Sequence, residues 1–139
     1  MMAIDEAPLG GVNFGWPIAS YGEHYDGEYR QEAPLKKSHA NLGFREPVAF
    51  WVPSIGVSSV ATSPFAFDGQ DTIAVGALGD AVNEGDLSIH FMSSQTLGGK
   101  SSTLAVLPLG ERVRSLVDAG DGVLLASADS GALLRITRQ

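Results

Sequence analysis

The apolar residues of this chain fall in short runs separated by glycine-containing turns, and the pattern is clearest over residues 109–138. Three strand-length runs of about five residues, rich in Val, Leu and Ile, are divided by Gly120-Asp121-Gly122 and Asp129-Ser130-Gly131. Both separators contain residues that tolerate positive φ, so each can close a tight connection. The spacing predicts an antiparallel meander with strands at 113–118, 123–127 and 133–137.

Upstream, the same reasoning gives a strand at 48–52, stopped by Pro53, and a weakly alternating one at 59–63, stopped by Pro64. Residues 72–78 are uncharged and apolar, the signature of a strand buried on both faces. At 87–92, Leu87, Ile89 and Phe91 alternate with Ser88, His90 and Met92, which predicts a half-buried strand. Gly98-Gly99 turns the chain, and 103–107 returns it. Eight short strands and no helix predict an all-β fold in four-stranded antiparallel sheets. The strands at 59–63, 72–78, 87–92 and 103–107 fill one sheet, and the closing meander leaves the next one strand short. Residues 1–47 behave differently, because Gly10-Gly11, Trp16-Pro17, Gly22, Asp26-Gly27 and Pro34 interrupt every candidate element. The expected layout is an irregular segment over 1–47 and a β region over 48–139, one domain in all.

Charge narrows the partners. Acidic residues outnumber Lys and Arg 16 to 9, for a net charge of −7, and such a surface repels phosphate backbones and anionic lipid. Nucleic acid and membrane are therefore not expected. Absence of cysteine removes disulfides, thiolate metal sites and thiol nucleophiles. No apolar run approaches the roughly 20 residues of a bilayer span. The start, Met-Met-Ala-Ile-Asp-Glu, lacks the basic and apolar regions of a signal peptide, so none is expected and the chain reads as soluble.

The candidate chemistry centres on Arg112 and Arg114. Two residues apart on a strand, they share a face, where their charges repel unless an anion answers both. That anion is either a ligand or a neighbouring acid such as Glu111 or Asp118. His90 reads as a satisfied strand residue, and His24 and His39 as solvated loop residues. Ser54, Ser58 and Ser59 with His90 lack a nucleophile elbow, so a hydrolase is discounted. Trp16 and Trp51, each close to a proline, read as core or loop anchors rather than sugar platforms.

Three stretches carry a resemblance. Gly110-Glu111-Arg112-Val113-Arg114-Ser115-Leu116, the Gly-Asp-Gly turn and Ser130-Gly131-Ala132-Leu133-Leu134-Arg135-Ile136 resemble the last blade of the glucose/sorbosone dehydrogenase family. Asn13-Phe14-Gly15-Trp16-Pro17 with Ser20-Tyr21-Gly22, and Glu46-Pro47-Val48 with Phe50-Trp51-Val52-Pro53-Ser54-Ile55-Gly56, agree in the family's order. Members are pyrroloquinoline quinone (PQQ)-dependent aldose sugar dehydrogenases built as six-bladed propellers, and the matches fall in their C-terminal third. The resemblance implies a partial propeller of about two blades and oxidation of an aldose C1 hydroxyl to a lactone. It assigns Arg112 and Arg114 to the carboxylates of PQQ. It extends to calcium, for which Glu6 is the nearest matching acid, and to export, which is common in the family.

Three departures qualify this. Gly79 stands where members often place a cofactor-contacting lysine, Ser115 stands where aspartate is usual, and the family's catalytic histidine has no counterpart. The chain alone is accordingly expected to be inactive. The alternative is a non-catalytic β-sheet module acting through self-association or a partner. The incomplete sheet predicts a piece of a longer protein, a homo-oligomer, or a chain whose residues 1–47 cover the open edge.

Overall fold

The computed structural model describes residues 13–22, 36–79, 85–94 and 103–138. Among these it contains seven strands, β1 (Val57–Thr62), β2 (Thr72–Ala77), β3 (Ser88–Ser93), β4 (Thr103–Pro108), β5 (Val113–Gly120), β6 (Val123–Ala128) and β7 (Leu133–Thr137). The only helical element among the described residues is a single 3-10 turn, Ala40–Leu42. All pairings are antiparallel, in a four-stranded sheet β1-β2-β3-β4 and a three-stranded sheet β5-β6-β7. The predicted all-β class and the division into four strands and three both hold. No helix of the described residues is long and apolar enough to cross a membrane.

The chain divides into two compact units, residues 1–54 with 98–100, and residues 55–97 with 101–139. All seven strands lie in the second. There, the two sheets bury Phe65, Ala74, Ile89 and Phe91 together with Val113, Leu116, Leu124 and Ala126. Phe65 meets Phe91 edge-on, with ring centroids 5.8 Å apart.

Hydroxyl groups join the sheets where β1 faces β5. The Ser58 hydroxyl donates to the Val113 carbonyl at 2.5 Å, and the Leu116 N–H donates to Ser59 Oγ at 3.1 Å. Thr62 adds a bond to Asp118 at 3.3 Å. This explains the weak alternation of β1, whose serines serve as cross-sheet ties rather than as a solvent face. Gly76 of β2 permits the close approach, since a Cβ there would lie 2.8 Å from both Ser58 Oγ and Val113 Cγ1.

The β5–β6 hairpin closes with Asp121 at φ 49° and Gly122 at φ 73°, a turn of the hand that matches strand twist. The β6–β7 connection places Gly131 at φ 85°, and its N–H donates to the Ala128 carbonyl at 3.0 Å.

Three expectations need correction. Residues 48–52 do not form a strand. Bracketed by Pro47 and Pro53, they bury Val48 and Ala49 and stack Phe50 on Tyr21, with ring centroids 4.1 Å apart, instead of pairing in a ladder. β3 is buried along its whole length rather than on one face. Ile89 and Phe91 face the inter-sheet core, and His90, on the opposite face, packs against Gly85. Of the core-or-loop reading of Trp16, only the loop alternative stands, since the side chain is 66% exposed.

Candidate functional site

Arg112 immediately precedes β5 and Arg114 is its second residue, with fully buried Val113 between them pointing into the core. Strand alternation therefore throws both guanidinium groups to the opposite side, as the spacing predicts. Each side chain is about half exposed, at 42% and 51%. The Arg112 Nε–H donates to the Leu78 carbonyl at 2.8 Å, at the exit of β2.

The acid that answers them is Asp129, not Glu111 or Asp118. Arg114 Nε donates to Asp129 Oδ1, and Arg112 Nη1 stands 3.7 Å from Asp129 Oδ2. One carboxylate thus offers one oxygen to each arginine. The hydrogen bond from Arg114, reinforced by the charges of Arg114 and Arg112, holds the Asp129 carboxyl below its usual range. Arg114 is shifted upward by the same contact. Glu111 instead accepts a hydrogen bond from Ser130, and Asp118 bonds Thr62 and the Gly120 N–H.

Asp129 is held in place by its backbone. Its N–H donates to the Arg112 carbonyl at 3.0 Å, and the Ala132 N–H donates to Ser130 Oγ at 3.3 Å. The sequence marked Asp129 only as a turn former. The missed signal is topological, because the β5–β6 ladder pairs Val113 with Ala128 and so brings the start of the next turn beside the arginines.

Arg112 and Asp129 open onto a cleft of about 390 Å³, lined also by Gly79, Leu87, Gly110, Glu111 and Ser130. A Cβ on Gly79 would lie 2.0 Å from Asp86 Oδ1 and 2.7 Å from Asp86 Cβ. Asp86 therefore occupies the space where a side chain at 79 would begin. Ser115 bonds Ser127 at 2.7 Å across the β5–β6 ladder.

Among the described residues no other candidate chemistry assembles. His90 is buried and its Nε2 sits 2.9 Å from the Gly85 carbonyl, while Ser58 and Ser59 are engaged with β5. His39, expected in solvent, is only 2% exposed and lies against Glu46, Nδ1 to Oε2 at 3.5 Å. His24 and Glu6 lie outside the described residues. Among the described residues no group of three or more His, Asp or Glu is placed to hold a metal ion. The arrangement can bind an anion, most naturally a carboxylate, which matches guanidinium forks in shape and charge.

Comparison with known proteins places this chain in a family. The aldose sugar dehydrogenase YliI of Escherichia coli strain K12 is 30% identical over 134 residues, covering 94% of this chain and 34% of that protein. A crystal structure of a glucose dehydrogenase superposes with a TM-score of 0.70 at 27% identity, over 93% of this chain and 36% of the other. The apo-form soluble aldose sugar dehydrogenase of Escherichia coli gives 0.67 at 28% identity, over 90% and 34%. The chain thus spans about a third of the length of these relatives. Residues 6–135 match the Glucose / Sorbosone dehydrogenase family description, and the chain belongs to that family.

Proposed function

We propose that this chain supplies one wall of the cofactor site of a PQQ-dependent aldose sugar dehydrogenase. The observation that carries this reading is the convergence of Arg112 and Arg114 on a single carboxylate at the edge of a cleft. A pair that already brackets one carboxylate has the donor chemistry a carboxylate-bearing quinone requires. When bound, PQQ accepts a hydride from C1 of the sugar, and the redox chemistry is the cofactor's. The chain's part is to bind and orient through the arginines. Gly79, packed against Asp86, stands in place of the lysine common in the family, so this wall would hold its anion with two cations rather than three. The chain has no counterpart of the family's catalytic histidine, which supports the reading that the chain alone does not turn over aldose.

Calorimetry with PQQ tests the binding reading. Weak binding that disappears in Arg112→Ala/Arg114→Ala supports it, and no binding at millimolar concentration, or equal binding by the variant, overturns it. Dye reduction with glucose, PQQ and calcium is expected to remain at the no-protein level.

A second reading, a non-catalytic sheet module acting by self-association, draws on a different observation. Among the described residues β7 pairs on one side only, with β6, and its Leu133 is 71% exposed. An unpaired strand edge is a template for another strand.

A further inference from the structure

We propose that Asp129 is a built-in competitor for the anion site, occupying between Arg112 and Arg114 the position that a ligand carboxylate takes. This rests on reading the arginine pair as an anion site. It adds a residue that tunes the affinity of that site.

Three features carry it. Asp129 answers both arginines, with Oδ1 toward Arg114 and Oδ2 toward Arg112, which is the bridging a bound carboxylate would adopt. The pair is open to solvent, with Asp129 itself 36% exposed, so an incoming anion can reach the guanidinium groups. The backbone of Asp129 is fixed to Arg112 and its turn is tied by the Ser130–Glu111 bond, so the carboxylate stays within reach whether or not it is engaged. Loading then needs only rotation of the Asp129 side chain toward solvent, with no rearrangement of the hairpin.

The ligand class follows from the wall. The cleft sets Arg112 and the Asp129 carboxylate beside Gly79, Gly110 and Leu87, and Arg114 reaches that carboxylate from outside the lining, so a flat ring bearing a carboxylate suits the place Asp129 would vacate. A competitor in place offsets part of the arginines' charge without ligand, and it lowers apparent affinity by the cost of displacing it.

The test is calorimetric titration of the full chain with PQQ, comparing wild type, Asp129→Asn and Arg112→Ala/Arg114→Ala. Asp129→Asn keeps shape and removes charge, and it should bind about two- to fivefold more tightly, the range expected for release of an exposed ion pair. The double arginine variant should lose binding. If Asp129→Asn binds no better than wild type while the double variant loses binding, the competition is refuted and the anion site stands. If removal of both arginines leaves binding unchanged, or neither wild type nor Asp129→Asn binds, the anion site itself is refuted and the competition with it. Circular dichroism of each variant verifies folding, and Asp129→Ser decides in the same way should Asp129→Asn misfold. A merely structural role for Asp129 predicts weaker binding on substitution, the opposite sign.

Discussion

The Nε–H of Arg112 donates to the carbonyl oxygen of Leu78 at 2.8 Å, so this arginine belongs to the fold as well as to the cleft. Arg114 makes its described contact to Asp129, a surface residue of the turn. The two should therefore separate in their effect on stability. Arg112→Ala leaves the Leu78 carbonyl without this donor and should cost about 1 kcal/mol. Arg114→Ala should leave the denaturation midpoint within error of wild type. Urea unfolding of the two single variants checks this, and equal losses would show that the Leu78 bond contributes nothing.

Gly79 is held to glycine by its neighbour. A methyl group there overlaps the Asp86 carboxylate, and the overlap includes Asp86 Cβ, which cannot swing away as a carboxylate oxygen can. Gly79→Ala should destabilise by about 1–3 kcal/mol, the usual cost of overpacking. Asp86→Ala made in the same chain should recover most of that loss. A double-mutant cycle measures the coupling, and additive losses would mean that strain arises elsewhere.

How far the sequence reaches is visible in these elements. The strands β2 to β7 were legible because each is a short apolar run between turn residues, and the bounds agree with the pattern within two residues. The one false strand, 48–52, has the right composition but no ladder partner, and pairing is a property of the fold that a local pattern does not contain. The arginine pair was legible from strand alternation alone. Its carboxylate was not, because Asp129 reaches it through a hairpin register. Nor was Asp86, which meets Gly79 across the turn leading into β3.

The serines of β1 give a third expectation. Ser58→Ala removes the donor to the Val113 carbonyl, leaving a strand-start carbonyl beside a fully buried side chain. The loss should be about 1–3 kcal/mol, the cost of an unsatisfied group in the interior. Thr62→Ala, whose bond to Asp118 is longer and exposed, should change stability by less than about 0.5 kcal/mol. Similar losses at both positions would refute the idea that hydroxyl ties hold the sheets together.

A pH dependence is expected from the unit that holds Tyr21, His39 and Glu46. Glu46 accepts from the Ala40 and His39 N–H groups at 2.8 and 3.0 Å and from the Tyr21 hydroxyl at 2.8 Å. The Ala40 bond leads in lowering its carboxyl below the usual range, with Tyr21 and His39 adding to the effect. A carboxylate depressed in the folded state contributes stability above its unfolded pKa, and that contribution is lost as pH falls through the folded value. Tyr21 is raised, chiefly by its bond to Glu46, so its contribution is present below the ordinary phenol value and lost as pH rises through the folded one. Glu46→Gln should therefore flatten the acid limb of the melting profile below about pH 4.5, and Tyr21→Phe the alkaline limb. Unchanged limbs in thermal melts from pH 3 to 11 would refute both assignments.

The last expectation concerns assembly. The first sheet has four strands and the second three, and β7 presents its outer edge to no other strand of the described residues. Beside it lies a groove of about 240 Å³ with Phe65, Phe67, Phe91, Leu107 and Ile136 in its walls, and Arg138 stacked 5.1 Å above the Phe67 ring. A fourth strand added to β7 would gain main-chain hydrogen bonds and cover apolar surface at once, which offsets the entropy of association. A three-fold ring would restore six blades from two per chain, whereas a two-fold pair of β7 edges is the simpler solution. Light scattering after size exclusion should show an oligomer at tens of micromolar. Leu133→Lys, which places a charge at the 71% exposed position on this edge, should shift the chain toward monomer. A trimer favours the ring and a dimer the edge pair. A monodisperse wild-type monomer would defeat both and leave the open edge of β7 to be covered by other means.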